Sequence, residues 1–415
     1  MNRRGVVVTG LGAVTPAGHD APATWAALKA GRNAVERAPR LAAAGCRSQI
    51  AAEVRGFDPA ALPSGQKATR LSRNAQFALA AALEAWRDAT LDSVTLDPAR
   101  CGVILGTAFG SSTDTFQQTE SYLKSGLRGI HPTCAPRAMS NAPAAHIALE
   151  FGLRGPSFTV GSACAAAGHA LGLALRLIQY GEADLVLAGG TDEISCILVP
   201  AAFDRLHALS VRNDAPERAS RPFDRERDGF VMGEGAGVLV LEDREHALRR
   251  GARVYAELSG FGMATDVHHL TAPDPLGAGA AQAMRLALRD AGREAAHVGY
   301  VNAHGTSTPL NDAMETRALH DVLGANAGSI AVSSTKSMIG HLMGASAAVG
   351  LIATVLSVRE GVVHPTINYE TPDPACDLDY VPNKSRLLAV ELALVNSFAF
   401  GGHCVSLAVQ AASVN

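Results

Sequence analysis

The chain has 415 residues, 47% hydrophobic and 18% charged, so it folds around a sizeable core instead of remaining disordered. A net charge of −3 and a pI near 6.5 give no global attraction to nucleic acid or to an anionic membrane, and neither is expected as a partner. The seven cysteines, at 46, 101, 134, 164, 196, 376 and 404, are odd in number and form no C-x-x-C pair; they indicate neither a disulfide framework nor a zinc site and fit a reducing cytoplasm.

Met1-Asn2-Arg3-Arg4 precedes an apolar run too short for a signal peptide, which reads as a first strand at 6–9. Helices follow at 22–30 and 75–89, a strand at 102–105, a helix at 143–151, a strand at 157–160 and a helix at 165–180. The chain continues with strands at 185–187, 237–241 and 255–262, a helix at 278–291, a strand at 299–302 and a helix at 312–323. A strand at 330–333, a helix at 341–359 and strands at 393–397 and 404–409 complete it. This alternation predicts an α/β fold with mixed or parallel sheets.

Residues 155–175 and 337–358 are long and apolar enough to span a bilayer, but the first opens on a proline-containing strand and the second carries His341, three glycines and two interior serines. Both read as central helices buried by protein. A strand, a Ser/Gly turn and an Ala/Gly-rich helix occur around Cys164 and again around His341, with 158–164 set against 330–336. This echo divides the chain near the charged stretch 243–253 into halves 1–250 and 251–415.

Cys164 follows a strand and opens a small-residue helix, in Gly161-Ser162-Ala163-Cys164-Ala165-Ala166-Ala167. Most buried cysteines are small hydrophobes. This one has the layout of a nucleophile elbow, with the helix N-terminus favouring a thiolate and small neighbours admitting an acyl group. His304 lies before the tight turn Gly305-Thr306-Ser307-Thr308-Pro309, and His341 follows Gly340 at the expected start of a helix, where a neutral imidazole would donate towards an oxyanion. Lys336 and Glu315 would fix the imidazoles if they lie beside them and form a surface ion pair if they do not. Asp312 would cap the helix near it. The loop Phe398-Ala399-Phe400-Gly401-Gly402-His403 lacks the Lys-Ser/Thr of a P-loop; it suits a gate, with a backbone N–H near Phe400 completing an oxyanion hole.

With these residues in place, the chain resembles the elongating β-ketoacyl-acyl carrier protein synthases. The likeness runs from Val7-Val8-Thr9-Gly10-Leu11-Gly12 to the glycines at 401 and 402. Its strongest pieces are Ala219-Ser220-Arg221-Pro222-Phe223-Asp224, Arg227-Asp228-Gly229-Phe230, the loop 302–309, Ser333-Ser334-Thr335-Lys336-Ser337, Gly340-His341 and Asn396-Ser397-Phe398. The resemblance implies a thiolase-like fold, two pseudo-symmetric βα halves packed as a five-layer αβαβα sandwich.

It also implies the chemistry. Cys164 would accept an acyl chain from the phosphopantetheine of an acyl carrier protein, malonyl-carrier protein would lose CO2 and attack, and His304 and His341 would hold the malonyl thioester oxygen. The N–H groups of Cys164 and Phe400 would stabilise the tetrahedral intermediate, with Lys336 and Glu315 as a supporting charged pair and no metal or organic cofactor. Thiolases use a second cysteine, initiating synthases use Cys, His and Asn, and chain-length factors lack the nucleophile; Cys-His-His fits the elongating class.

Phe109, Thr306, Thr308, Phe398, Ala399 and Gly401 would line the substrate path, with Phe109 shortening or bending the acyl tunnel. Lys67, Arg70, Arg73, Lys124, Arg128 and Arg212 would form a basic rim for an acidic carrier protein, although His207 stands where the family often has arginine. Ala165-Ala166, Ala399 and His403-Cys404 depart from the common pattern. They leave fatty-acid elongation, the favoured reading, beside a polyketide or polyene pathway, and a homodimer beside a heterodimer with a chain-length factor, the neighbouring subunit closing the tunnel near 132–140.

Overall fold

Ten strands form one continuous mixed sheet, and the computed structural model describes residues 3–412. The strands are β1 (Val6–Val14), β2 (Cys101–Gly106), β3 (Ser157–Val160), β4 (Leu185–Asp192), β5 (Gly235–Asp243), β6 (Ala256–Thr265), β7 (Val298–Asn302), β8 (Ala331–Ser333), β9 (Leu392–Ala399) and β10 (His403–Gln410). Their spatial order is β8-β7-β9-β10-β6-β1-β5-β4-β2-β3. All ten strands expected from the sequence are present, most of them longer than the apolar runs that marked them.

The order contains a duplication. In each set of five, the third strand edges the sheet, followed by the second, fourth, fifth and first. Pairing is parallel as far as the fourth strand and antiparallel from there on in both sets. The sets join through a short antiparallel contact, Val7 opposite Glu257 and Val8 opposite Ala256.

Helices complete five layers. On one outer face α1 (Arg73–Asp88) packs Phe77 and Leu79 against Leu105, Leu187 and Val238, and α3 (Ala142–Phe151) adds Ile147 to the same cluster. The middle layer is α4 (Ala166–Gln179) and α7 (Ser346–Glu360), whose Leu171, Leu175, Leu351 and Val355 share one core cluster. On the other outer face α5 (Ala278–Ala291) and α6 (Pro309–Leu323) place Met284, Leu288 and Leu319 against Val301 and Leu394. Helix α7, with the turn before it, is apolar enough to cross a membrane, but 83% of that window is buried inside the protein. A helix that is apolar all round belongs to a layer covered on both faces.

The two middle helices begin alike. Ala163 (φ +48°) and Met343 (φ +49°) are left-handed non-glycine residues, each opening a 3-10 turn that runs into α4 or α7. The echo in the sequence is therefore real but offset: Cys164 corresponds to Gly344, and Lys336 to Leu342 is an extra excursion. The expected helix start at His341 moves to Ser346 for the same reason, since Gly340 (φ +69°) and Met343 interrupt it, and His341 lies in extended chain bridged to Met232. Among the described helices of eight or more residues, two were not expected from the sequence: α2 (Ser112–Ser125), placed between β2 and β3, and Leu198–Arg205 after β4. No residue of α2 is buried, so it lacks the apolar stripe that periodicity detects.

Candidate active site

The C-terminal ends of both parallel strand sets meet at one place. Gly106 lets the first turn of α4 sit on the end of β2; a Cβ there would come within 2.2 Å of the Ala166 carbonyl carbon. Cys164 is thereby lifted onto the helix N-terminus, and its carbonyl accepts from Ser397 Oγ of β9 at 2.8 Å. Burial pushes its thiol up to about 12, with Lys336 opposing and Asp192 reinforcing. Desolvation thus outweighs the favourable helix terminus, and the resting group is the thiol instead of the expected thiolate.

His304 follows β7 and His341 precedes the turn into α7, yet their rings meet edge to face with centroids 5.5 Å apart. Both are buried and held neutral, well below the usual range. Desolvation is the main cause and the Lys336 ammonium adds to it. His341 Nδ1 accepts from the Met343 N–H at 3.0 Å and lies 2.9 Å from Ser346 Oγ, which leaves the ring proton on Nε2. Nδ1 of His304 has no partner among the described residues.

Buried carboxylates hold this geometry. Glu315 Oε1 accepts from the His304 N–H (2.8 Å) and from Asn396 Nδ2 (3.2 Å), while Oε2 accepts from the Gly305 N–H (2.8 Å). Its oxygens are occupied by the loop and not by Lys336, so the expected charged pair acts through the buried medium. Burial pushes Lys336 down to about 8 and Glu315 pulls it back up. Asp312 does not cap α6, a role taken by Thr308; it accepts from the N–H groups of Phe223 and Thr306.

Asp192, fully buried at the end of β4, was missed because the sequence reading stopped that strand at Leu187. It accepts from Thr107 Oγ1 (2.7 Å), the N–H groups of Ala108 (2.8 Å) and Phe109 (3.1 Å), and the Gly344 N–H (2.6 Å). It thus ties the turn after β2 to the turn before α7. The signal available was a lone carboxylate after Gly189-Gly190 at a strand end.

Cys164, His304 and His341 line one cavity of about 430 Å³, together with Thr306, Thr308, Phe398, Ala399 and Phe400. Phe203, Phe230, Leu270 and Met314 supply apolar wall. Two expected residues do not line it. Phe109 stands behind Phe203 in an edge-to-face contact at 5.9 Å, and the Gly401 N–H donates to Leu270 O at 2.7 Å, with Gly402 on the wall instead. The Gly402 N–H bonds to Ala399 O, so Phe400 carries the amide of this loop with no backbone acceptor among the described residues.

Lys67, Arg70, Lys124 and Arg128 are exposed and lie outside the cavity wall. Arg212 is half-buried against the Glu226 carbonyl. Arg73 is removed from the expected rim: its guanidinium turns inward to Glu234 (2.6 Å) and Val54 O (2.8 Å) and stacks on Phe77. His207 lines the cavity and contacts Arg47.

A duplicated sheet that brings one thiol and two neutral imidazoles into a single cavity has the architecture of a condensing enzyme, and comparison with known proteins agrees. Residues 3–247 match the family described as beta-ketoacyl synthase, N-terminal domain, and residues 255–370 match the beta-ketoacyl synthase, C-terminal domain. The chain belongs to the β-ketoacyl synthase family. It is 45% identical to a 3-oxoacyl-[acyl-carrier-protein] synthase 2 of Synechocystis sp., covering 99% of each chain, and 43% identical to that of Coxiella burnetii, covering 97% of each. Similar solved structures include a ketosynthase bound to a hexaketide in complex with its type II polyketide acyl-carrier protein (TM-score 0.92, 35% identity, 99% and 100% covered). Another is the ishigamide ketosynthase/chain length factor (TM-score 0.91, 37% identity, 99% and 100% covered).

Proposed function

We propose that the protein is a β-ketoacyl-acyl carrier protein synthase of fatty-acid elongation, with 1–250 carrying the nucleophile and 251–415 both histidines. The observation that carries this reading is the convergence of Cys164, His304 and His341 on one cavity, both rings neutral and one with its proton fixed on Nε2.

The sulfur of Cys164 attacks the acyl thioester of a carrier protein; the new C–S bond replaces the old one, and the thiol proton leaves with the phosphopantetheine thiol. Malonyl-carrier protein then fills the cavity. Loss of CO2 leaves its electron pair as an enolate, whose oxygen accepts from the neutral imidazoles. The enolate carbon attacks the Cys164 thioester, the N–H groups of Cys164 and Phe400 hold the oxyanion, and the C–S bond breaks to expel the cysteine thiolate, which takes one proton from solvent to restore the thiol. Neutral rings serve here as hydrogen-bond donors, and burial maintains that state. The reaction as written draws on no metal or organic cofactor beyond the phosphopantetheine of its substrates and suits a cytoplasmic enzyme.

Carrier protein is the proposed partner, docking on Lys67, Arg70, Lys124, Arg128 and Arg212. A dimer is proposed because β3 leaves Phe158 exposed at a sheet edge and α2 with its flanks exposes Tyr122, Leu123, Leu127 and Met139. A type II polyketide or polyene ketosynthase, paired with a chain-length factor, is the second reading; the likeness to such ketosynthases favours it. Purified protein is offered malonyl-carrier protein with acyl chains of graded length. Saturated chains are expected to give β-ketoacyl product and CO2, whereas selectivity for conjugated or aryl starters overturns the fatty-acid assignment.

A further inference from the structure

Three polar side chains beside the nucleophile have no part in the reaction as written. Ser162, buried two residues before Cys164, lies 2.8 Å from Nδ1 of His169, which projects from the second turn of α4. The His169 ring is edge-on to His403 of β10, with centroids 6.0 Å apart at 88°, and to Phe261 of β6 at 6.4 Å. His403 faces Ala399 across the β9–β10 hairpin, and its Nε2 lies 3.2 Å from where a Cβ on Gly401 would stand. His169 therefore touches the nucleophile turn on one side and the support of the Phe400 loop on the other.

Both structures it touches need holding. The turn contains Ala163 at φ +48°, a conformation that costs energy unless its surroundings impose it. The loop contains Gly401 (φ +86°) and Gly402 (φ +77°), whose backbone is intrinsically permissive. Resting on the reading that the Cys164 and Phe400 amides form the oxyanion hole, we propose that His169 is a positioning residue that sets those two amides in register. It does so through its bond to Ser162 and its ring contact with His403. Decarboxylation, assigned to His304 and His341, does not depend on that register.

The test separates the two half-reactions in His169→Ala, His169→Asn and Ser162→Ala. Acyl transfer from acyl-carrier protein is followed by intact mass against time, and CO2 release from malonyl-carrier protein is followed on unacylated enzyme. Misplacing one oxyanion donor is expected to slow acylation by about 10- to 100-fold in His169→Ala. Ser162→Ala is expected to show a smaller loss in the same step, and His169→Asn, whose amide restores the bond to Ser162, a partial recovery. CO2 release should stay within about twofold of the parent. Unchanged acylation in His169→Ala, or equal loss of both half-reactions in the two milder variants, overturns the proposal. Cys164→Ala run alongside isolates the underlying reading, because continued acylation there refutes the nucleophile assignment and not the role of His169.

Discussion

Replacing Glu315 tests how the His304 loop is held. Its carboxylate satisfies three buried donors, the His304 and Gly305 N–H groups at 2.8 Å each and Asn396 Nδ2 at 3.2 Å. Leaving one buried donor unpaired costs about 1–3 kcal/mol, so Glu315→Ala, which strands all three, is expected to lose roughly 3–9 kcal/mol. That is a large share of a typical stability of about 5–15 kcal/mol, and the variant should be marginal. Glu315→Gln keeps Oε1 as an acceptor and turns an NH2 group towards the Gly305 N–H. It is expected to lose about 1–3 kcal/mol and to remain folded. Because Glu315 orients the backbone that carries His304, CO2 release from malonyl-carrier protein should fall by about 100-fold in Glu315→Gln. Denaturant titration gives the stability change and trapped CO2 the rate. A Glu315→Gln protein with the parent's unfolding midpoint and CO2 release would refute the reasoning.

Removing the Lys336 charge with Lys336→Met should raise both imidazoles, since the ammonium contributes to lowering them, and the acid limb of the decarboxylation pH profile should move to higher pH; an unmoved limb contradicts this. Burial holds His364 down at about 4 from 6.5, so its contribution to stability is complete above about pH 6.5 and is lost as pH falls towards 4. At about 1.4 kcal/mol per pKa unit, the parent should lose roughly 3 kcal/mol more than His364→Gln between pH 7 and 4, as measured by paired denaturant titrations. The raised carboxyls of Asp192 and Glu84 slope the opposite way but are common to both proteins, so they cancel in the difference. Charge reversal at Lys67 and Arg70 should raise KM for carrier-protein substrates severalfold and leave simple thioester analogues unaffected; equal effects on both would remove these residues from docking.

The strands were legible because each is an apolar run bounded by turn residues, whereas their duplicated spatial order emerges only in the structure. Cys164, His304 and His341 stood out through their glycine- and serine-rich surroundings, since close approach of a ligand or a helix end excludes larger neighbours. What sequence periodicity lacked was long-range pairing. Asp192 reads as one more acidic residue until Thr107 and Gly344 are seen to converge on it, and Arg73 reads as surface charge until Glu234 stands opposite. Helix α2 buries no residue within a single chain, and its few apolar side chains, Phe116, Tyr122 and Leu123, form no continuous stripe to announce it. The offset of the echo arose because the excursion Lys336 to Leu342 has no partner in the first half.

Peptide mapping by mass spectrometry after incubation with an acyl-carrier protein addresses the central claim most directly. One acyl group on the peptide containing Cys164, discharged when malonyl-carrier protein is added and retained when His304 and His341 are both alanine, is the predicted result. Acylation at another cysteine, or discharge that proceeds normally without the two imidazoles, would contradict the account.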